Sequence, residues 1–498
     1  MRILLGLGRG LAFLYLVWCS NLALACTQIP AGQSLWIRLT SPVSTYTARV
    51  GEPVHAVLTQ AVACGGEIVL PIGTRIDGVV RAKRKVGFGI RHETAALELE
   101  FNRVGDVADS TLVISARVEE VENAREQVKN GVIQGVLSTD TFQGKINSRL
   151  IHLPTWNPYS DLGLIIYKAT FPIFPEPEIY YPVGTDIRLK IRAEVSLPTG
   201  VGQTAAAADD SADYLEYDSL IRQLPHRSTT QKRVDADYVN LVFLGSQDQV
   251  TAAFREAGWN NSDPVSKRAF LHNLYALLNN SGYAQQPMTT LLLDGKPEDM
   301  NWQKGLNSYG RRDHLRIWQW PEAETNDSVW LSSSTHDTSV ILSVKYHGFV
   351  HHIAPDIDEE RSKVIRDLNF AGCVRSVRYV PRPGISTIAQ NATGDSMRTD
   401  GSVAVIQLKE CEPIVPGLQT TSKSRSFRPG NHAFRYVRRQ ILTFRNDIWR
   451  ANIIYGLYDV GRMAFTAMRH QPAPPIEGES KPTIAAVVPA AATGVGSQ

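Results

Sequence analysis

A short pattern that occurs three times in the first half of the chain strongly constrains its fold. The copies are "IPAGQSLWIRL" from residue 29, "LPIGTRIDGVV" from residue 70 and "YPVGTDIRLKI" from residue 181. In each copy, Pro-x-Gly favours a turn, and the apolar residues that follow at every second position predict a strand with one face on a core. Similar alternation in "AALELEFNRV" and "STLVISARVEEV" extends the pattern. We therefore predict a β-rich barrel or sandwich module over residues 28–198.

The first part of this module is similar to a known family. Within residues 28–120, "P-x-G-T" strands follow the strand-like segment "GEPVHAVL". This arrangement resembles the β domain of TrbI-type conjugation proteins. The resemblance implies a small β barrel, and a generic exported β module explains the same pattern.

The N-terminus has the features of a secretory signal peptide. Arg2 and Arg9 precede the apolar stretch "LAFLYLVWCSNLALA", and the small-x-small sequence Ala23-Leu24-Ala25 follows. A charged start, an apolar core and a small-residue cleavage site direct a chain to export. We predict that residues 1–25 are a signal peptide and that the protein resides in the periplasm or cell envelope. Because Cys26 follows the cleavage site directly, lipidation of Cys26 is an alternative.

The remaining cysteines predict disulfides. They are Cys26, Cys64, Cys373 and Cys411, an even number that suits an exported chain and allows three pairings. We favour Cys26–Cys64 and Cys373–Cys411, because each bond then stays inside one predicted module. Lipidation of Cys26 would remove the first pair.

Length and composition divide the rest of the chain. At 498 residues the chain is long enough for two or three domains of about 100–200 residues each. Residues 199–236 begin with a small, polar, acidic stretch and are predicted to be a linker that can include a short helix. Residues 471–498 are rich in Pro and Ala and are predicted to be disordered. The net charge of +3 gives no reason to expect a nucleic-acid partner.

Residues 237–412 show the pattern of an α+β domain. The buried strand "VNLVFLGS" precedes two segments with helical spacing, "QDQVTAAFREAGW" and "SKRAFLHNLYALLNNSG". Strand-like segments follow, then the helix "DEERSKVIRDLNFAG" and a last strand, "VAVIQL". We predict an antiparallel sheet with helices packed on it.

The same region resembles the LssY C-terminal domain family. The resemblance spans residues 237–410 and rests on ordered motifs: "VNLVFLGS", "AFREAGW", "LLLDGKPEDMNWQKG", "RRDHLRIW", "STHDTSV", "HHIAPDIDEER" and "GDSMRTDGSVAVIQL". In the protein that names the family, this domain follows membrane modules of the lipid-phosphatase and DedA types. The present sequence contains no "PSGH" phosphatase motif, so the resemblance implies a fold and no phosphatase activity.

The segment "RRDHLRIWQW" provides the first candidate site residues. On an extended strand, His314, Arg316, Trp318 and Trp320 share one face. Imidazole, guanidinium and indole groups together suit an anion, a phosphate or a sugar. The alternative is an amphipathic surface strand on which the Arg stacks on a Trp.

Two further polar segments provide the other candidates. In "STHDTSV", His336 and Asp337 are predicted at a turn between strands, where Asp is common; alternatively, His336 and a carboxylate form an acid–base or metal group. In "HHIAPDIDEER", the strand positions of His351 and His352 point to opposite faces. Asp356 with a Glu three residues later fits a helix capping box, and it can also pair with His352.

A metal site is one hypothesis for these histidines. His314, His336 and one of His351 and His352 would supply nitrogen ligands for zinc if the strands align them. The alternatives are a metal-free polar pocket and scattered structural histidines. The sequence identifies no cofactor.

Residues 431–469 are predicted to form a basic amphipathic helix. Seven Arg and two Asp occur between residues 435 and 469. Such a helix suits an anionic membrane surface or an envelope partner. The alternative is a helix that packs on the preceding domain with its Arg side chains in solvent.

Two functions, and a purely structural role associated with secretion, are consistent with these observations. The first is an exported, bacterial-type cell-envelope protein whose LssY-like module binds a ligand or a partner. The alternative is a hydrolase, metal-dependent or not, that acts on a phosphate- or sugar-containing envelope substrate.

Overall fold

A computed structural model of the protein describes residues 27–107, 110–137, 176–198, 203–204, 220–264, 266–279, 281–321, 328–343, 348–418, 430–444, 461 and 464. The predicted signal peptide, Cys26 and the predicted disordered tail lie outside these residues. None of the helices in this part of the chain is long and apolar enough to cross a membrane.

The N-terminal module contains a closed barrel. Strands β8, β7, β4, β2, β13 and β9 pair in that order, and β9 pairs back with β8 to close the ring. The hairpin of β10 and β11 extends the sheet from β8. The predicted β-rich barrel is therefore confirmed. The strands of this module are β1 Gln28–Ile29, β2 Ser34–Leu39, β3 Val43–Ser44, β4 Pro53–Leu58, β5 Val62–Cys64, β6 Glu67–Leu70, β7 Arg75–Arg84, β8 Ala96–Val107, β9 Ser110–Val121, β10 Gln127–Lys129, β11 Val132–Gln134, β12 Tyr180–Tyr181, β13 Asp186–Ile191, β14 Val195–Ser196 and β15 Gln203–Thr204.

The repeated Pro-x-Gly pattern forms the turns that lead into three barrel strands. Gly32, Gly73 and Gly184 have φ angles of 89°, 86° and 88°, which a residue with a Cβ rarely adopts. In each turn the residue after the Gly donates its backbone N–H to the Pro carbonyl. Strands β2, β7 and β13 start directly after these turns, and the alternate apolar residues of β2 and β13 are buried in the core: Leu35, Ile37, Leu39, Ile187, Leu189 and Ile191.

The second module is built on one large sheet. Its order is β21-β22-β23-β18-β28-β25, with β24 also paired to β23; β18 and β28 are parallel, and the other pairs are antiparallel. The predicted α+β fold with a largely antiparallel sheet is therefore confirmed. The elements are β16 Arg227–Thr229, β17 Asp235–Tyr238, β18 Leu241–Leu244, α1 Gln247–Glu256, α2 Lys267–Asn279, β19 Leu292–Leu293, β20 Lys296–Pro297, β21 Met300–Gly305, β22 Arg312–Trp320, β23 Val329–Ser343, β24 Gly348–Ile353, α3 Ile357–Phe370, β25 Val374–Pro381, β26 Ile388–Gln390, β27 Ser396–Arg398, β28 Ser402–Leu408 and α4 His432–Phe444.

The two faces of the large sheet bury different layers. On one face, Phe243, Trp302 and Trp330 of the sheet pack with residues of α1 and α3. On the other face, Val242 and Trp318 pack with residues from the small sheet of β17, β16, β19 and β20. Strand β16 and the first two residues of β17 fall within residues 199–236, the segment predicted as a linker. Alternate residues of β22 and β23 therefore enter two separate layers.

The predicted Cys373–Cys411 disulfide is present. It joins the residue before β25 to the segment after β28, and Cys373 is fully buried. The bond therefore fastens the edge of the large sheet to the chain that leaves it. The predicted Cys26–Cys64 pair includes Cys26, which lies outside the described residues.

Helix α4 packs on the barrel. Leu442 enters the barrel core, and the Phe434 ring makes an edge contact with Phe88. Arg438 is 3% exposed and binds the carboxylates of Glu176 and Glu178. This part of the predicted basic helix matches the packed alternative, and most of residues 445–469 lie outside the described part of the chain.

Candidate functional site

The pairing of β22 with β23 determines where the predicted site residues lie. Arg312 is opposite Asp337, Asp313 opposite His336, and His314 opposite Thr335. The predicted turn at residues 336–337 is wrong, because both residues lie inside the long strand β23. The polar run of this strand faces polar partners on β22 and β24, so polarity there does not indicate a turn.

On the face of the large sheet that carries Trp318, four side chains form what we call the Asp337 cluster: Arg312, His314, Asp337 and His351. Asp337 Oδ2 accepts a hydrogen bond from Arg312 Nε at 2.8 Å and lies 3.2 Å from His351 Nδ1 and 3.6 Å from His314 Nδ1. Asp337 itself is 1% exposed. The cluster is therefore built around the buried Asp337 carboxylate, which is paired with the Arg312 guanidinium.

Burial sets the charge state of this cluster. Burial lowers the pKa of His314 to about 3, and the positive charges of Arg312 and Arg316 act in the same direction. The imidazole is therefore neutral at neutral pH. Burial opposes ionisation of Asp337, but the adjoining His314, His351 and Arg312 side chains hold its pKa well below the usual range.

The other predicted residues of β22 are also internal. Arg316 is 6% exposed and Trp318 2%, so the alternative of an amphipathic surface strand is wrong. Arg316 donates to the Thr289 carbonyl and lies 3.5 Å from Asp237. Both faces of β22 are covered, which explains why its polar residues are not at the surface.

The face of the large sheet that packs against α3 holds a different group of side chains. His336 Nδ1 and Asp313 Oδ1 are 2.7 Å apart, and Glu360 from α3 joins them. One ligand atom from each of these three residues lies within 4.8 Å of the others. The His336 side chain is 24% exposed, whereas Asp313 and Glu360 are buried. We call these three residues the Asp313–His336–Glu360 triad.

The carboxyl groups of the triad differ in charge state. Burial, together with the nearby Asp313 and Glu122, raises the pKa of Glu360 well above its usual range. Burial opposes ionisation of Asp313, but Lys363 and His336 hold its pKa below the usual range. Burial also opposes protonation of His336, but the hydrogen bond that its Nδ1–H donates to the Asp313 carboxylate outweighs burial and raises the His336 pKa.

The predicted zinc shell of three histidines is not formed. His314 and His351 lie on the face of Asp337, whereas His336 pairs with Asp313 on the opposite face. His352 contacts neither group, and its Nδ1 lies 2.6 Å from Asp395 Oδ1. The strand alternation that separates these side chains explains the failure.

Asp356 caps α3. Its side chain accepts hydrogen bonds from the backbone N–H groups of Asp358 and Glu359, which confirms it as the predicted N-cap. The Glu359 side chain binds Arg188 of the barrel at 3.0 Å. His352 pairs with Asp395 instead of with Asp356. Asp356 therefore has a structural role in α3.

The triad borders a buried layer of ionic side chains that joins the two modules. We call it the interdomain charge cluster, and its members are Arg38, Glu122 and Asp186 from the barrel and Lys304, Asp313, Glu360, Lys363, Arg366 and Asp367 from the second module. Arg38 binds Asp186 at 2.7 Å and Asp367 at 3.2 Å. Lys304 Nζ lies 2.9 Å from both of the same carboxylates.

The remaining cations of this cluster are also paired. Lys363 Nζ lies 2.6 Å from Glu122 and 3.1 Å from Asp367, and Arg366 binds Glu122. Asn123 of the barrel donates to Asp313 at 2.6 Å. These contacts between buried charges hold the barrel against α3 and the β21–β22 hairpin.

Most residues of this cluster were not predicted from the sequence to have a functional or interdomain role. Arg38 and Asp186 occupy polar positions in two copies of the repeated pattern, and Glu360 was explained by the helix start alone. Their partners are up to 329 residues apart in sequence. The sequence did contain one signal. Charged residues recur at helical spacing along α3, at Glu360, Lys363 and Asp367.

A groove lies where the barrel meets the edge of β22 and β23. It has a volume of about 280 Å³, and both modules line it. Its lining residues include Arg125 of the barrel and, from the second module, Arg311, Ser308, Thr338 and Ser339. Arg311 donates to the Ala124 carbonyl at 3.4 Å.

Comparison with known proteins relates part of the second module to a protein family. No curated protein matches the chain. A solved structure, ComB10 of the Com type IV secretion system of Helicobacter pylori, is similar over 34% of this chain and 91% of that chain, with 10% sequence identity and a TM-score of 0.21. That likeness is too slight to support a functional argument. Residues 221–403 match the family described as the LssY C-terminus, which confirms the resemblance that the ordered motifs predicted and extends it to β16 and β17.

Proposed function

We propose that this is an exported cell-envelope protein whose LssY-like module, joined to the barrel, binds a small anionic ligand in the groove between the two modules. The observation that carries the proposal is the lining of the groove. Two Arg residues and three Ser or Thr residues line it, and no Asp or Glu is among its lining residues, although Arg125 also pairs with Glu126 at 3.0 Å. Guanidinium and hydroxyl donors are the groups with which proteins bind phosphate and carboxylate.

The size of the groove limits the ligand. A volume of about 280 Å³ lies just below the usual range of ligand pockets, roughly 300–1,000 Å³. It suits a phosphate-bearing group of a few atoms. A guanidinium carries five N–H donors, so Arg311, which donates to Ala124, retains donors for a ligand.

Calorimetric titration with inorganic pyrophosphate tests this proposal. We expect the full-length protein to bind pyrophosphate, and Arg311→Gln to weaken binding by about 10-fold or more, because a hydrogen bond to a charged group contributes about 1.5–3 kcal/mol. Arg255→Gln, which changes an exposed Arg in the last turn of α1, is the matched control and should bind as the wild type does. Absence of binding, or equal binding by the Arg311 variant, would refute the groove as the site.

An envelope location is supported by the disulfide. Cys373 and Cys411 form a bond that persists in oxidising compartments, and the N-terminal sequence has the features of an export signal. We expect the full-length chain in a bacterial host to fractionate with the envelope and to resist thiol labelling at both cysteines. A chain without residues 1–25 should stay in the cytosol and become labelled. Recovery of the intact full-length chain from cytosol with reduced thiols would contradict an envelope location.

A hydrolase remains the second candidate, and the His336–Asp313 pair favours it. A His whose Nδ1 is held by a carboxylate is an arrangement used for general-base catalysis. Such a base would act on a phosphate- or sugar-containing substrate. Turnover of a chromogenic phosphodiester that His336→Gln abolishes would favour this candidate over ligand binding alone.

The interaction of residues 431–469 with a membrane surface or an envelope partner stays a proposal. The described part of this segment exposes Tyr436 and Val437. Arg438, in contrast, binds barrel carboxylates and does not face solvent. The basic residues available to a partner are therefore fewer than the sequence indicates.

A further inference from the structure

The Asp313–His336–Glu360 triad combines two carboxylates and an imidazole from three different elements. Asp313 comes from β22, His336 from β23 and Glu360 from α3, and their ligand atoms lie within 4.8 Å of one another. Ligands at roughly 2.0–2.2 Å from a zinc ion are themselves about 3–4 Å apart. The three side chains are therefore within a small adjustment of a metal shell.

The buried Glu360 side chain gives an independent indication of a ligand site. It is 4% exposed, and its Oε1 atom has no hydrogen-bond partner among the described residues. A buried polar atom without a partner destabilises a protein by about 1–3 kcal/mol. Glu360 also lies beside the Asp313 carboxylate. Two carboxyl groups this close can hold a shared proton or a metal ion between them.

The surroundings of the triad suit an ion that arrives from solvent. The His336 side chain is 24% exposed, which gives access from outside. Asn123 of the barrel donates to Asp313 Oδ2 at 2.6 Å and holds that carboxylate in place. Outer partners of this kind orient ligating groups in metal sites. The site would therefore be completed where the barrel meets the second module.

We propose that Asp313, His336 and Glu360 bind one divalent transition-metal ion. The mixed nitrogen and oxygen donor set suits Zn²⁺ best and Mn²⁺ less well, and it disfavours Mg²⁺, which prefers oxygen ligands alone. The site is separate from the proposed anion groove and does not depend on it. It uses one histidine, not the three that the sequence suggested.

Calorimetric titration of the chelator-treated full-length protein with Zn²⁺ tests the proposal. We expect one equivalent to bind, with affinity in the order Zn²⁺, Mn²⁺, Mg²⁺. His336→Gln and Glu360→Gln should each weaken Zn²⁺ binding at least about 10-fold, since even loss of an outer partner has that effect. Glu360→Gln keeps the side-chain shape, so it serves if the His336 variant fails to fold.

The matched control is His352→Gln. His352 is also a partly exposed histidine paired with an Asp, at 2.6 Å, but it lies outside the triad. Its variant should bind Zn²⁺ as the wild type does. Absence of Zn²⁺ binding by the wild type would overturn the proposal and favour a shared proton. Wild-type affinity in either folded triad variant, or an equal loss in His352→Gln, would also overturn it.

Discussion

Asp367→Ala is expected to lower the free energy of unfolding by about 3–5 kcal/mol, because it removes a carboxylate that three buried cations share and leaves the buried positive charge only partly compensated. Asp367 is 1% exposed. It binds Arg38, Lys304 and Lys363, and it accepts a hydrogen bond from the Trp259 indole at 3.0 Å. Urea unfolding followed by both tryptophan fluorescence and circular dichroism measures the change.

The matched control for this variant is Glu359→Ala. Glu359 also crosses from α3 to the barrel, where it binds Arg188 at 3.0 Å, but its side chain is 60% exposed. An exposed ion pair contributes about 0–1 kcal/mol, so this variant should unfold nearly as the wild type does. Equal losses of unfolding free energy in the two variants would show that the buried ion pairs of the interdomain charge cluster stabilise the protein no more than an exposed ion pair does.

The first module shows which features of a fold sequence patterns can predict. The Pro-x-Gly copies predicted both the turns at Gly32, Gly73 and Gly184 and the strands that follow, because turn geometry and alternation are local properties. Alternation also showed which residues face the barrel core. It did not show what covers the other face, and there Arg38 and Asp186 meet the second module.

The second module shows why the candidate site was only partly predicted. The motifs of the family located the right strands, and alternation separated His351 from His352. The register between β22 and β23, which pairs Asp313 with His336 and Arg312 with Asp337, depends on contacts distant in sequence. A polar run inside a sheet that is covered on both faces looks the same in sequence as a turn, which explains the error at residues 336–337.

Asp337 has enough buried partners to act as a structural residue. Asp337→Ala is expected to lower the free energy of unfolding by about 3–5 kcal/mol, because it leaves the Arg312 guanidinium buried without its carboxylate. Arg312 would keep its hydrogen bonds to Gln303 and to the Gln286 carbonyl, which are uncharged. Urea unfolding of the full-length protein measures this change.

A double-mutant cycle separates the ion pair from the cavity that the substitution creates. Arg312→Met removes the guanidinium and fills much of the same space, so the double variant contains no unpaired buried charge. We expect it to be more stable than the sum of the two single changes predicts, by about 1–3 kcal/mol. Strict additivity would mean that Arg312 and Asp337, although 2.8 Å apart, do not stabilise each other. Asp337 would then be held in the sheet for another reason, and binding or catalysis on this face would become the better explanation for it.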